Sequence, residues 1–99
     1  AIRESAVRWL KAAAEQGHPE AQERLGSLCG AGEGGTAADE EKAVDWWHKA
    51  ALQGRRAAQR LLAEALLRGR GAARNAAEAL RWLRRSAEQG EVEAMYLLV

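Results

Sequence analysis

The chain has 99 residues, room for one small domain. Its 15 Lys and Arg nearly balance 14 Asp and Glu, and a net charge of +1 speaks against a dedicated polyanion binder and against an acidic tail. Hydrophobic residues reach 47%, enough for a core, but Phe is absent and Val and Ile are few, which nearly excludes an all-β fold and leaves Ala, Leu, Glu and Arg to favour helices.

In chain order, a first helix is predicted over about 4–16, followed by Gly17. A second runs over about 19–29; Pro19 suits a first helical turn, and Gly32 and Gly34 stop the helix and turn the chain back. A third covers about 39–53. Its apolar residues Ala43, Trp46, Trp47 and Ala50 recur at helical spacing, and Asp39 stands before it as N-cap. A fourth covers 56–68 and is followed by Gly69 and Gly71. A fifth covers about 76–89, where Asn75 and Glu78 have capping-box spacing. A last helix fills 92–99. Gly17, Gly54 and Gly90 follow the first, third and fifth helices, where a left-handed residue ends a helix at little cost.

The chain also repeats itself. AVRWLKAAAEQG from Ala6, AVDWWHKAALQG from Ala43 and ALRWLRRSAEQG from Ala79 align at offsets of 37 and 36 residues. Trp9, Trp46 and Trp82 fall in register, as do Gln16, Gln53 and Gln89. The other halves match through Ala21, Ala58 and Ala94 and through Leu25, Leu62 and Leu98. The one-residue difference falls after Gly34, near Gly35, in a loop where an insertion costs least. Helix–turn–helix units repeated with tight loops make an all-α solenoid.

These residues resemble the Sel1-like repeat family, a relative of the tetratricopeptide repeat. The matching positions are Ala21, Leu25, Gly26, Cys29, Gly32, Gly34, Asp39, Ala43, Trp46, Trp47, Lys49, Ala50, Ala51, Gln53 and Gly54. Cys29 and Leu66 stand where the family has Tyr, Ala63 stands at the counterpart of Gly26, and Leu52 replaces Glu. The resemblance implies a right-handed α-solenoid of about six helices. The expected division is one domain over 1–99, with units at about 18–54 and 55–90 and partial units at 1–17 and 91–99. Neither end carries a polar capping face, and Leu97, Leu98 and Val99 look like a helix expecting a partner. The expectation is a fragment of a longer solenoid, or a chain that pairs its open ends with another copy. The chain starts at Ala1 without Met and without a basic-then-apolar leader, so excision from a longer chain is expected and the compartment, cytoplasm or periplasm, is left undetermined.

Candidate chemistry is sparse. Gly30-Ala31-Gly32-Glu33-Gly34-Gly35 fits a Gly-x-Gly-x-x-Gly string, but a helix precedes it where a dinucleotide loop needs a strand. Cys29, the single cysteine, cannot form an internal disulfide and is expected to be a buried, inert thiol rather than a nucleophile served by His18 or His48. Neither histidine has a second ligand at helical spacing, so no metal and no cofactor are expected. The three in-register tryptophans are expected to pack between units, and Trp47 at an edge. Trp46→Ala is expected to cost about 3–5 kcal/mol.

Charge is uneven. Residues 1–54 carry six basic and nine acidic side chains, whereas residues 55–99 carry nine Arg and five Glu. That asymmetry would suit an acidic peptide or head-to-tail self-association. The resemblance implies that the first-type helices, those over 19–29, 56–68 and 92–99, the other three being second-type, line a concave face that grips peptides. On that row Ala21, Leu25 and Leu28 are expected to face the core, and Glu20, Glu23, Ser27, Arg56, Arg60, Glu64 and Tyr96 are the candidate partner-binding residues. Arg60→Glu is accordingly expected to change binding and not melting. The function so implied is a non-enzymatic adaptor or scaffold for a protein or peptide partner, with no membrane contact. The alternatives are a regulatory or targeting segment of a larger enzyme, or an Arg-rich nucleic-acid-binding module, whose affinity would fall steeply with salt.

Overall fold

The computed structural model describes the backbone of residues 2–32 and 39–99 and the side chains of 5–32 and 39–99. Gly34 and Gly35, and with them the length difference between units, lie outside the described residues. Six helices form: α1 (Ile2–Glu15), α2 (Pro19–Ala31), α3 (Glu40–Leu52), α4 (Arg56–Arg68), α5 (Ala76–Glu88) and α6 (Val92–Leu97). No strand occurs among the described residues.

The predicted punctuation explains where the helices begin and end. Asp39 accepts a hydrogen bond from the Lys42 amide at 3.1 Å, and Asn75 accepts one from the Glu78 amide at 3.1 Å. Only half of the capping box forms at Asn75. Its own amide donates to Leu66 O, so the Glu78 carboxylate instead meets the Asn75 side chain and the Trp82 indole. Gly17, Gly54 and Gly90 take left-handed φ values of 94°, 92° and 90° after α1, α3 and α5. Gly71 is held more tightly: its φ is +74°, and a Cβ there would collide with the Glu40 carbonyl.

Each helix packs on the next, and the molecule is elongated at 43 × 24 × 19 Å. Contacts between alternate helices sort them into two rows. Glu23 of α2 reaches Arg55 before α4, and Arg60 of α4 reaches Glu93 of α6, so α2, α4 and α6 share one row. His48 of α3 meets Trp82 of α5 edge-on at 6.1 Å, in the row of second-type helices. The core has two parts. Ala14, Ala21, Leu25, Cys29 and Ala43 fill one, and a larger cluster around Leu62, Ala63, Leu66, Ala79, Trp82 and Leu83 fills the other. Trp47 packs against both. Its indole N–H donates to Glu23 O at 3.2 Å, and its ring lies against Gly26, where a Cβ would sit 2.7 Å from Cδ1.

Buried glutamines tie the units together. Gln22 donates to Ala14 O at 3.1 Å and accepts from Gln53 at 2.8 Å. One unit on, Gln59 donates to Ala51 O at 3.1 Å and accepts from Gln89 at 2.8 Å. Ala14 O and Ala51 O also accept from the Gly17 and Gly54 amides, so each glutamine adds a second bond at a helix end and carries it across to the next helix.

Three expectations need correction. Trp9 is 79% exposed, not packed. Trp46 and Trp82 each rest on residues of a preceding helix pair, and among the described residues no helix stands at that place beside Trp9. Trp46 is only half-buried, with the Lys49 ammonium 4.5 Å from its ring centre, whereas Trp82 is 6% exposed. Leu28 is half-exposed, and the inward face of α2 is carried instead by Gln22, Gly26 and Cys29 beside Ala21 and Leu25.

Candidate functional site

The first-type row presents the residues singled out by sequence, but it uses several of them to hold itself together. Glu20 pairs with Arg24 one turn on at 2.8 Å, exposed to water. Glu23 meets Arg55 at 2.7 Å across the unit boundary, and this hydrogen bond pushes the Arg55 guanidinium pKa above its ordinary value. Arg56 donates to Gln89 O at 2.8 Å and lies 3.9 Å from Glu91. Ser86 donates to the Arg56 carbonyl at 2.7 Å, so the start of α4 is clamped to the end of α5.

Arg60 has three carboxylates around it: Glu64 at 3.1 Å, Glu93 at 3.1 Å and Glu91 at 3.4 Å. Its side chain is 16% exposed, and its Nε lacks a well-directed hydrogen bond despite the proximity of Glu91. This arginine joins α4 to α6 and is a structural link as well as a candidate contact, which changes the expectation that its reversal would leave melting untouched. Tyr96 stands exposed on α6.

Ser27 and Glu64 are brought together. Both line a cleft of about 350 Å³ between α2, α3 and α4, with Ala43, Trp47, Leu61 and Ala65 as its apolar wall and Glu40, Arg68 and Arg70 at its polar edge. The sequence reading did not include Trp47, Arg68 or Arg70 among the partner-binding residues. The signal was present in the repeat: Gly30, which also lines the cleft, corresponds to Leu67 one unit on, and Ala31 corresponds to Arg68.

The remaining candidate groups are dispersed. Cys29 is buried, and desolvation pushes its thiol pKa up. His18 is exposed at the N-cap of α2, where its side chain makes no capping bond, and His48 is exposed on α3. Among the described residues no group of three His, Cys, Asp or Glu side chains is placed to hold a metal ion. No described helix is long and apolar enough to cross a membrane. Of the glycine string, residues 30–32 end α2, and the rest lies outside the described residues.

Stacked two-helix units keyed by repeated side-chain bonds define an α-solenoid. The Sel1 repeat family model matches residues 3–18, 19–54 and 56–91, and the chain belongs to that family. Such repeats are generally protein-interaction modules, and the fold is typically a non-enzymatic scaffold. Similar solved structures come from bacteria. A protective antigen of uropathogenic Escherichia coli, c5321, displays the same fold at TM-score 0.92 and 37% identity, over 96% of this chain and 20% of that one. A Sel1 repeat protein from Oxalobacter formigenes superposes at TM-score 0.88 with 38% identity, over 92% of this chain and 37% of that one. Helicobacter pylori cysteine rich protein B, at 20% identity and TM-score 0.86 over 92% of this chain and 68% of that one, shares the fold. The chain thus spans about a fifth and somewhat over a third of the first two proteins. A search of curated protein sequences finds no match.

Proposed function

We propose that this chain is a non-enzymatic adaptor that binds a protein or peptide partner across the row formed by α2, α4 and α6, the expected concave face. The observation that carries this reading is the cleft on that row, where Ser27 and Glu64 stand beside exposed parts of Trp47 and Leu61. A cleft with an apolar wall and a charged edge suits a side chain of an extended segment. Glu20, Glu23 and Tyr96 offer further contacts along the row, and Arg56 and Arg60 anchor α4, one wall of the cleft, to α5 and α6. Catalysis gains no support, because Cys29 is buried while both histidines face outward on other surfaces. Nucleic-acid binding is weakened as well, because Arg55, Arg56 and Arg60 are engaged within the fold and Arg85 lies over the Trp82 ring at 5.1 Å.

Selection of a random peptide library on the immobilised chain tests the reading. Enriched peptides should lose binding to a Ser27→Arg/Tyr96→Ala variant and keep it with Arg84→Ala on the exposed side of α5. No enrichment, or dependence on Arg84 alone, refutes it.

A second reading has its own observation. Trp9 is exposed at one end while Val92, Met95, Tyr96 and Leu97 are exposed at the other, and α1 is a second-type helix whereas α6 is a first-type helix. A second copy could seat α1 on α6 as α3 sits on α2. Light scattering across concentration distinguishes the two: a monomer throughout removes this reading, and a dimer lost on Trp9→Glu supports it.

A further inference from the structure

We infer that the cleft between α2, α3 and α4 accepts an acidic peptide, seating one of its aliphatic side chains on Trp47 while arginines at the edge take the peptide's carboxylates. The inference rests on the proposed peptide-binding role of this row and names the chemistry of the partner.

The space has a sequence origin. Leu67 on α4 packs against the core, but its counterpart on α2 is Gly30. A Cβ at Gly30 would meet Ala43 Cβ at 3.4 Å and Trp47 Cη2 at 3.9 Å, ordinary contact distances. An aliphatic group delivered from outside therefore finds the surface that Leu67 occupies one unit on. The volume of about 350 Å³ lies near the lower end of ligand sites, so it takes one or two side chains and not a large ligand.

Charge selects the flanking residues. Among the described residues Arg24, Arg55, Arg56 and Arg60 each have a carboxylate within 4.0 Å, whereas Arg68 and Arg70 have none. Both arginines are exposed and border the cleft. Of the two carboxylates that also border it, Glu64 is held by Arg60 at 3.1 Å, and Glu40 lies in the first turn of α3, where the helix dipole offsets its charge. Arg60 is shared among Glu64, Glu91 and Glu93, so the groups left to take an anion at the edge are Arg68 and Arg70. Guanidinium groups bind carboxylates bidentately, which fixes peptide register as well as adding affinity.

Fluorescence anisotropy with three dye-labelled peptides of equal length tests this. One carries Asp and Glu on both sides of a single leucine, the second replaces the leucine by serine, and the third replaces the acidic residues by lysine. The first should bind, with each of the others weaker by about tenfold or more. Arg68→Glu/Arg70→Glu should remove the preference for the acidic peptide. Gly30→Leu should block the leucine by filling the cleft from within, with circular dichroism and melting temperature checking that the fold is kept. Failure of the first peptide to bind, equal binding of all three, or indifference to both variants overturns the inference. If library selection then still yields peptides that depend on Ser27 and Tyr96, the wider peptide-binding reading stands without it; if selection yields none, both fall.

Discussion

Gly26 and Trp47 form a size-matched pair whose counterparts one unit on are Ala63 and Leu83. A small residue faces a large ring in one unit, and a slightly larger residue faces a smaller side chain in the next. In Gly26→Ala the new methyl would lie 2.7 Å from Trp47 Cδ1 and Nε1 and 3.1 Å from Ala43 O. The indole cannot simply withdraw, because it packs into both core clusters and donates to Glu23 O at 3.2 Å. Overpacking costs about 1–3 kcal/mol, and a strained or lost indole hydrogen bond adds about 1 kcal/mol. Against this, Ala is better than Gly within a helix by about 0.5–1 kcal/mol. The net expectation is a loss of about 1–3 kcal/mol, read from urea unfolding followed by circular dichroism. Gly26→Ala/Trp47→Leu recreates the Ala63–Leu83 pairing, so the double variant should be more stable than the sum of the singles by about 1–2 kcal/mol. A neutral or stabilising Gly26→Ala, or additivity within about 0.5 kcal/mol, would refute the steric pairing.

Other expectations are simpler. Trp82→Ala should destabilise by about 3–5 kcal/mol, whereas exposed Trp9→Ala should stay within about 0.5 kcal/mol of wild type when the chain is monomeric, with thermal melting as the check. Arg60→Ala leaves Glu64, Glu91 and Glu93 facing one another and should cost about 1–3 kcal/mol; an unchanged melting temperature would show that the three pairs contribute nothing. Cys29 should resist iodoacetamide in the folded chain and react once urea is added. Because its folded pKa lies above the ordinary 9.0, the folded state keeps a proton that the unfolded state releases. Its contribution to stability is therefore full below that ordinary value and is lost as pH rises through the higher folded value. The difference in urea midpoint between wild type and Cys29→Ala should shrink over that range, and a constant difference would refute the burial effect.

The helices were readable because their ends are written in short-range chemistry: Asp39 and Asn75 cap, Pro19 opens α2, and Gly17, Gly54 and Gly90 close their helices. The exposure of Trp9 was not readable, because identical residues at identical helix positions differ only in the neighbour supplied from elsewhere. The structural role of Arg60 is not legible in sequence, because two of its three carboxylates, Glu91 and Glu93, come from beyond α5, where helix periodicity carries no information. Gln22 and Gln59 give no sign of burial by residue type, because a polar residue within a helix suggests solvent, yet both are buried. Their recurrence at a fixed offset was the available signal. Ser27 and Glu64 line one cleft because they are equivalent positions of adjacent first-type helices. The cleft between them depends on the missing side chain at Gly30, which a search for polar candidates overlooks.

The glutamine relay separates the length of a unit from the way units stack. Gln22 and Gln53 are 31 residues apart and Gln59 and Gln89 are 30 apart, yet both pairs close at 2.8 Å. The additional residue is absorbed without moving the joint. Both relays also run in one sense, with the later glutamine donating to the earlier and the earlier donating back to a carbonyl of the preceding helix. The stack thus has a polarity, and a ligand lying along it meets a surface with a defined beginning and end.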